Sequence, residues 1–169
     1  MNSGLKYCPS CGTECLKWEE EKKWSCGCGF VLYHNVASAI AVVIRHGNEL
    51  FFTRRNREPQ VGKLDLPGGF VDPHESAEDT CCRELYEELG LLIDVGRLKY
   101  LSSLPNIYKY KEISYNTLDL FYEYEVDEKF DVELELSEIS ETFWIDRTKI
   151  DLEELAFESQ RKFLWNYLR

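Results

Sequence analysis

The chain has 169 residues, of which 44% are hydrophobic, 14% aromatic and 30% charged, a composition typical of globular and not disordered chains. Its 20 basic and 31 acidic residues give a formal charge of −11, which argues against general binding to nucleic acid or an anionic membrane, since both need basic surfaces. No apolar run reaches the roughly 18 residues of a membrane span, and the start, MNSGLKYC, lacks a charged-then-apolar signal pattern. The expectation is a cytoplasmic protein with one domain of ordinary size and a small appendage.

Residues 1–34 form the expected appendage. Cys8 and Cys11 make a C-x2-C knuckle, and Cys26 with Cys28 makes a C-x-C pair beyond the segment Thr13 to Ser25. Clustered pairs without a signal pattern read as metal binding in a reducing compartment, not as disulfides. Four thiolates in tetrahedral array suit Zn²⁺ at about 2.3 Å each, so a zinc ribbon is expected with Cys8, Cys11, Cys26 and Cys28 as ligands. Ribbons usually repeat C-x2-C, and the shorter second pair leaves Cys15 as an alternative ligand; unbound or oxidised cysteines are the competing reading. Leu16, Trp18 and Trp24 allow two short strands between the pairs but no self-sufficient core, so metal would stabilise the fold. Four lysines and four glutamates balance there, which favours a structural or dimer-forming role over nucleic-acid reading. No Gly/Ser/Pro-rich linker follows Tyr33-His34-Asn35, so the two parts are expected to pack directly together.

Residues 35–169 form the expected main domain. Val36 to Ile44 is an apolar, β-branched run that predicts a central buried strand. His46-Gly47-Asn48 is a turn, and Glu49 to Arg55 predicts a second strand. Arg54, Arg55 and Arg57 cluster at its end. Guanidinium geometry suits phosphate, although loop arginines paired with surface carboxylates are an equally good reading of any one of them.

Gly69 to Leu91 carries the strongest signal. Ser76 and Asp79 resemble a capping box that starts a helix, and Gly90 suits a left-handed C-terminal cap. Along that helix Cys81, Leu85 and Leu89 form an apolar stripe. Beside it Glu84, Glu87 and Glu88, at i, i+3 and i+4, fall within an arc of roughly 100°. Three like charges on one face repel, and a hard divalent cation is the simplest relief. The stretch resembles the Nudix box, G-x5-E-x7-R-E-U-x-E-E-x-G-U with U aliphatic. Gly69, Glu75, Arg83, Glu84, Leu85, Glu87, Glu88, Gly90 and Leu91 fill it without a gap. That family hydrolyses nucleoside diphosphates linked to another group.

The resemblance implies an α/β fold, an α/β/α sandwich around a mixed β-sheet. It also implies Mg²⁺ or Mn²⁺ on Glu84, Glu87 and Glu88, with a backbone carbonyl just before the box, at Gly68, as a further ligand. Arg83 would orient or neutralise Glu75 or Glu87. A divalent ion would neutralise the pyrophosphate and activate water, leaving a general base to take one proton. The family's base is a box glutamate or one in a later loop; Glu138 and Glu141 precede the apolar strand Phe143-Trp144-Ile145, and Glu141 is preferred. Ribbons ahead of such domains occur in enzymes similar to NADH pyrophosphatases, and a homodimer is a family-level expectation.

Farther on, Arg97 to Leu104 predicts a strand, and Leu104 to Tyr115 an aromatic loop in which Tyr108 and Tyr110 can stack on a base or be ordinary surface tyrosines. Leu118 to Val126 alternates as a strand does, Val132, Leu134 and Leu136 suggest another, and Ser159 to Leu168 predicts a core-packing helix without a site role. The NADH-cleaving members carry SQPWPFP after the box, where this chain has SSLPNIYKYKEISY. That loss and the place of Pro105 favour ADP-ribose-like or related dinucleotide substrates. The competing readings are a nucleoside triphosphate pyrophosphohydrolase similar to MutT, and a non-catalytic Nudix-fold nucleotide-binding regulator.

Overall fold

The computed structural model describes residues 5–132 and 138–169. The chain divides into two compact units, Met1–Val36 and Ala37–Arg169. In the first, three short strands, β1 (Lys17–Glu19), β2 (Lys23–Ser25) and β3 (Val31–Tyr33), pair antiparallel in chain order. The third was not expected. Trp18 and Trp24 oppose each other across β1 and β2 with ring centroids 4.4 Å apart, and His34 meets both rings edge-on. The turn between β1 and β2 holds Glu20 and Glu21 at positive φ, as a twist-matched hairpin turn requires.

The second unit is a mixed sheet between two helices. Its strands are β4 (Ala37–His46), β5 (Glu49–Arg55), β6 (Leu64–Asp65), β7 (Lys99–Tyr110), β8 (Ile113–Glu125) and β9 (Ile139–Asp146). They run in the order β6-β5-β4-β8-β7, with β9 on β5; β4 and β8 are parallel and the other pairs antiparallel. Helix α1 (Ala77–Leu89) covers one face. Cys81, Leu85 and Leu89 of its stripe pack there with Ile40, Val42, Ile44, Phe51, Tyr122 and Tyr124. Helix α2 (Glu158–Tyr167) covers the other, where Phe163 stacks on Phe121 at 4.1 Å, over Ala41, Val43, Leu50 and Phe52. Both faces of the central strands are therefore covered, which is why β4 reads as an unbroken apolar run.

Two expectations are corrected. Arg97 lies in a 3-10 turn, Val95–Arg97, and the strand begins at Lys99. Residues 104–115 are not an aromatic loop: β7 runs through Pro105 to Tyr110 and returns as β8 after Lys111 and Glu112. Pro105 is accommodated because proline is excluded only from central strands, and β7 is an edge strand. The strand expected at Val132, Leu134 and Leu136 falls mostly outside the described residues; Val132 itself is in no strand.

Candidate active site

Local chemistry sets the position of α1. Ser76 Oγ accepts from the Asp79 backbone N–H and Asp79 Oδ2 accepts from the Ser76 N–H, both at 3.1 Å, while Gly90 closes the helix at φ 64°. With the apolar stripe buried, Glu84 and Glu88 turn toward the glycine loop. That loop is pinned along β4: the Val42 and Ile40 amides donate to the Pro67 and Gly69 carbonyls, and Val71 N–H donates to Ser38 O. Neither glycine has room for a side chain. A Cβ at Gly68 would lie 2.2 Å from the Ile40 carbonyl oxygen, and one at Gly69 would lie 2.2 Å from Glu84 Oε1. The Gly68 N–H donates to Glu88 Oε2 at 3.1 Å.

Arg83 knits the carboxylates together. Its Nε and Nη2 donate to Glu75 at 2.8 and 3.0 Å, its Nη1 to Glu84 at 2.7 Å and Glu87 at 3.1 Å, and Nη2 also to the Phe70 carbonyl. These bonds, with one from Thr80, hold the Glu75 carboxyl down to about 2. Glu84 and Glu88 shift the other way. Burial raises the pKa of each, and the neighbouring charges of Asp65 and Glu84 add to the rise at Glu88. Glu84, Glu87, Glu88 and Glu138 line one cavity of about 170 Å³. An all-carboxylate donor set whose charged forms are under-compensated fits a divalent cation of the Mg²⁺ or Mn²⁺ kind.

Beyond the glycine loop a second cavity of about 250 Å³ is lined by Arg83 and Glu84 at one end and by Arg55, Arg57, Asp65, Asn106, Tyr108, Asp119, Phe157 and Gln160 elsewhere. A third, of about 670 Å³, shares Arg57, Phe70 and Tyr108 with it and adds Tyr110, Lys111 and Tyr115. The structure thus brings together Gly68, Arg83, Glu84, Arg55 and Tyr108, and sets Tyr110 next door.

Arg54 and Glu141 are placed elsewhere. They pair with each other at 3.0 Å across β5 and β9, Arg54 also donating to the Gly62 carbonyl and lying over Phe143, and neither lines these cavities. Successive strand residues point to opposite faces, so Arg55 faces the cavity and Arg54 does not. Glu138, the other candidate, reaches the carboxylate cavity and is ion-paired with Arg57.

Several polar residues of the cavity are invisible in the sequence pattern. Asp65 accepts from Arg55 Nη1 and from Gln160 Nε2, both at 2.6 Å, and burial still pushes its pKa up. Asp119 accepts from Thr117 Oγ1 at 2.7 Å and Ser159 Oγ at 2.6 Å. Helix α2 therefore contributes its first turn to the site, against the expectation that it only packs. The one available signal was Asp119 at the same strand parity as Phe121, in a strand with large apolar residues on both faces.

In the first unit the Cys8, Cys11, Cys26 and Cys28 sulfurs all lie within 4.8 Å of one another. The Cys8–Cys28 and Cys11–Cys26 separations are 3.7 Å, close to the edge of about 3.8 Å that a tetrahedron with 2.3 Å Zn–S bonds requires. The Cys15 sulfur touches Cys26 at 2.8 Å, a contact that pushes the Cys26 thiol up to about 11. Crowded sulfurs of this kind fit a shared Zn²⁺.

Comparison with known proteins agrees with this geometry. The NAD-capped RNA hydrolase NudC of Haemophilus influenzae (strain PittEE) is 31% identical over 103 residues, covering 59% of this chain and 38% of that protein. The chain thus spans well under half the length of that curated relative. The crystal structure of a NUDIX hydrolase from Nitrosomonas europaea superposes with a TM-score of 0.65 at 22% identity, covering 97% of this chain and 90% of the other. The NUDIX domain of Shewanella oneidensis NrtR complexed with ADP ribose gives 0.64 at 18% identity, covering 80% and 88%. These structural likenesses establish the fold. A family model described as NUDIX domain matches residues 34–167, and with most of its length so matched the chain belongs to the NUDIX family.

Proposed function

We propose that the chain is a metal-dependent hydrolase that cleaves the pyrophosphate linkage of a nucleoside diphosphate derivative, with ADP-ribose-like or related dinucleotide compounds favoured. The observation that carries this reading is continuity: Arg83 and Glu84 of the carboxylate face also wall the cavity that leads past Arg55 and Arg57 to Tyr108. Glu84, Glu87, Glu88 and the Gly68 carbonyl are the groups proposed to hold Mg²⁺ or Mn²⁺. When bound, such an ion neutralises phosphate oxygens and lowers the pKa of nearby water. Arg83 positions Glu84 and Glu87, and Arg57, which lines the cavity and pairs with Glu138, is the arginine proposed to exchange that partner for a phosphate. Glu138, which lines the carboxylate cavity, replaces Glu141 as the proposed proton acceptor. Tyr108 and Tyr110 offer faces for stacking. The printed names of the similar proteins support the diphosphate class, since NAD and ADP ribose both join a nucleoside diphosphate to a second group.

In the same reading residues 1–34 are a structural zinc ribbon on Cys8, Cys11, Cys26 and Cys28, and residues 35–169 are the hydrolase domain. Thiolate-held zinc needs a reducing compartment, which supports the cytoplasm. No helix among the described residues is long and apolar enough to cross a membrane. The test is a panel of ADP-ribose, NADH, FAD, nucleotide sugars and nucleoside triphosphates with Mg²⁺ or Mn²⁺. Turnover of diphosphate-linked compounds, lowered by orders of magnitude in folded Glu87→Gln protein, is expected. Preference for triphosphates would move the protein to the house-cleaning class, and no turnover of any member would favour a binding module.

A further inference from the structure

β6 is two residues long, Leu64–Asp65, and a strand that short makes too few ladder bonds to place the loop that follows it. That loop is nonetheless tightly placed. The Gly68 N–H donates to Glu88 Oε2 at 3.1 Å, and a side chain at Gly68 or Gly69 would collide with Ile40 or Glu84. β4 holds one edge of it, through the Val42 and Ile40 amides on the Pro67 and Gly69 carbonyls. The other restraint comes from the start of α2. The Ala156 N–H donates to the Leu64 carbonyl at 2.8 Å, beside a parallel bridge between Leu64 and Leu155. One turn on, Gln160 takes hold of the next two residues. Its Nε2 donates to Asp65 Oδ1 at 2.6 Å, and its Oε1 accepts from the Leu66 N–H at 3.4 Å.

We infer that Gln160 is a positioning residue for the metal centre, fixing Asp65 and Leu66 and, through them, the Gly68 backbone beside Glu88. The inference rests on the reading of Glu84, Glu87, Glu88 and the Gly68 carbonyl as metal ligands. The chemistry of the contact is specific to an amide. Gln160 faces one acceptor, a carboxylate oxygen, and one donor, a backbone N–H, and a primary amide offers one complement to each at a single end. Glutamate would keep the acceptor but set a second carboxylate against Asp65. Gln160 is 5% exposed, so its loss leaves two shielded groups short of a partner, each at the cost of its desolvation. Packing does not call for an amide there, since Phe163 and Leu164 supply the apolar contact of α2 with the sheet. Only Pro67 separates Leu66 from Gly68, and its ring fixes one backbone angle, so a shift at Leu66 passes on to Gly68.

Mn²⁺ affinity is measured by electron paramagnetic resonance on wild-type, Gln160→Met and Phe163→Leu proteins, and amide exchange on the same proteins free of metal. Gln160→Met keeps the length of the side chain without its hydrogen bonds. It is expected to lower Mn²⁺ affinity about tenfold or more and to speed exchange at Leu66 and Gly68, while residues 161–167 of α2 stay protected. Phe163→Leu loosens the same helix through its stack on Phe121. It is expected to lower Tm and leave Mn²⁺ affinity as in wild type. Unchanged Mn²⁺ affinity in folded Gln160→Met, or an equal loss in Phe163→Leu, overturns the inference. So does a freely exchanging Leu66 amide in wild-type protein, whether or not the variants fold. Mn²⁺ affinity lost in Gln160→Met, with no pyrophosphate compound turned over by wild-type protein, overturns the hydrolase reading and leaves the positioning role standing. Turnover by wild-type protein with Mn²⁺ affinity unchanged in the variant does the reverse.

Discussion

Arg83 shows how much of the site depends on one side chain. It makes hydrogen bonds to three glutamates and to the Phe70 carbonyl, and it is three-quarters buried. The clearest electrostatic consequence is at Glu75, whose carboxyl is drawn from an ordinary 4.5 to about 2. A carboxyl depressed in the folded state adds stability that is fully present above the unfolded value and is lost as pH falls through the folded one. The window here therefore lies between about 4.5 and about 2. Arg83→Met should bring the Glu75 carboxyl back toward the ordinary range and move the acid-unfolding midpoint to higher pH. Side-chain carbon NMR titration of Glu75 in both proteins checks this, and an unchanged Glu75 titration would mean that Arg83 is not its main partner. Glu84 and Glu88 move oppositely, since burial raises them; those are the carboxylates that gain most from a cation.

At the scale of elements, α1 owes its place to Leu85, fully buried under the sheet, while the next residue, Tyr86, is 57% exposed. Leu85→Ala should destabilise the protein by about 2–5 kcal/mol, whereas Tyr86→Ala should stay within about 0.5 kcal/mol; denaturant unfolding of both variants reads the contrast, and similar losses would mean that α1 docks differently. This helix was legible in the sequence because its cap, period and terminal glycine are all local. What was not legible depends on distant strands. Residues 104–115 form β7 and the start of β8 because Tyr108 meets Tyr115 and Asn106 meets Thr117 across the ladder, a pairing that no local turn signal reports. The sequence alone favours Glu141 over Glu138, and only the pairing of β9 with β5 places Glu141 opposite Arg54. Gln160 and Ser159 read as ordinary helix residues, and only the approach of α2 to the sheet joins them to Asp65 and Asp119.

Taken whole, the molecule stabilises its two units by different means. The larger has two apolar layers with fully buried Phe51, Phe52, Phe121, Leu85 and Leu164. In the smaller, the apolar side chains that are buried among the described residues are Cys8 and Trp24, too few to offset the chain entropy of some thirty ordered residues at about 1.5 kcal/mol each. The gathered sulfurs fit a metal that would make up the difference, since a structural zinc contributes about 10 kcal/mol or more to such a module. The cysteine spacing made the sulfur cluster readable, and the fold adds that Cys15 touches Cys26 yet stands outside the group of four. Purified protein should therefore carry close to one zinc per chain. Cys15→Ser should keep the metal, while Cys11→Ser should lower its content and affinity. Removing zinc with a chelator should speed hydrogen exchange across residues 17–33, where the three strands lie, and adding zinc back should restore protection. If those strands stay protected after the metal is gone, the Trp18–Trp24 pairing is enough to hold the unit and the zinc assignment falls.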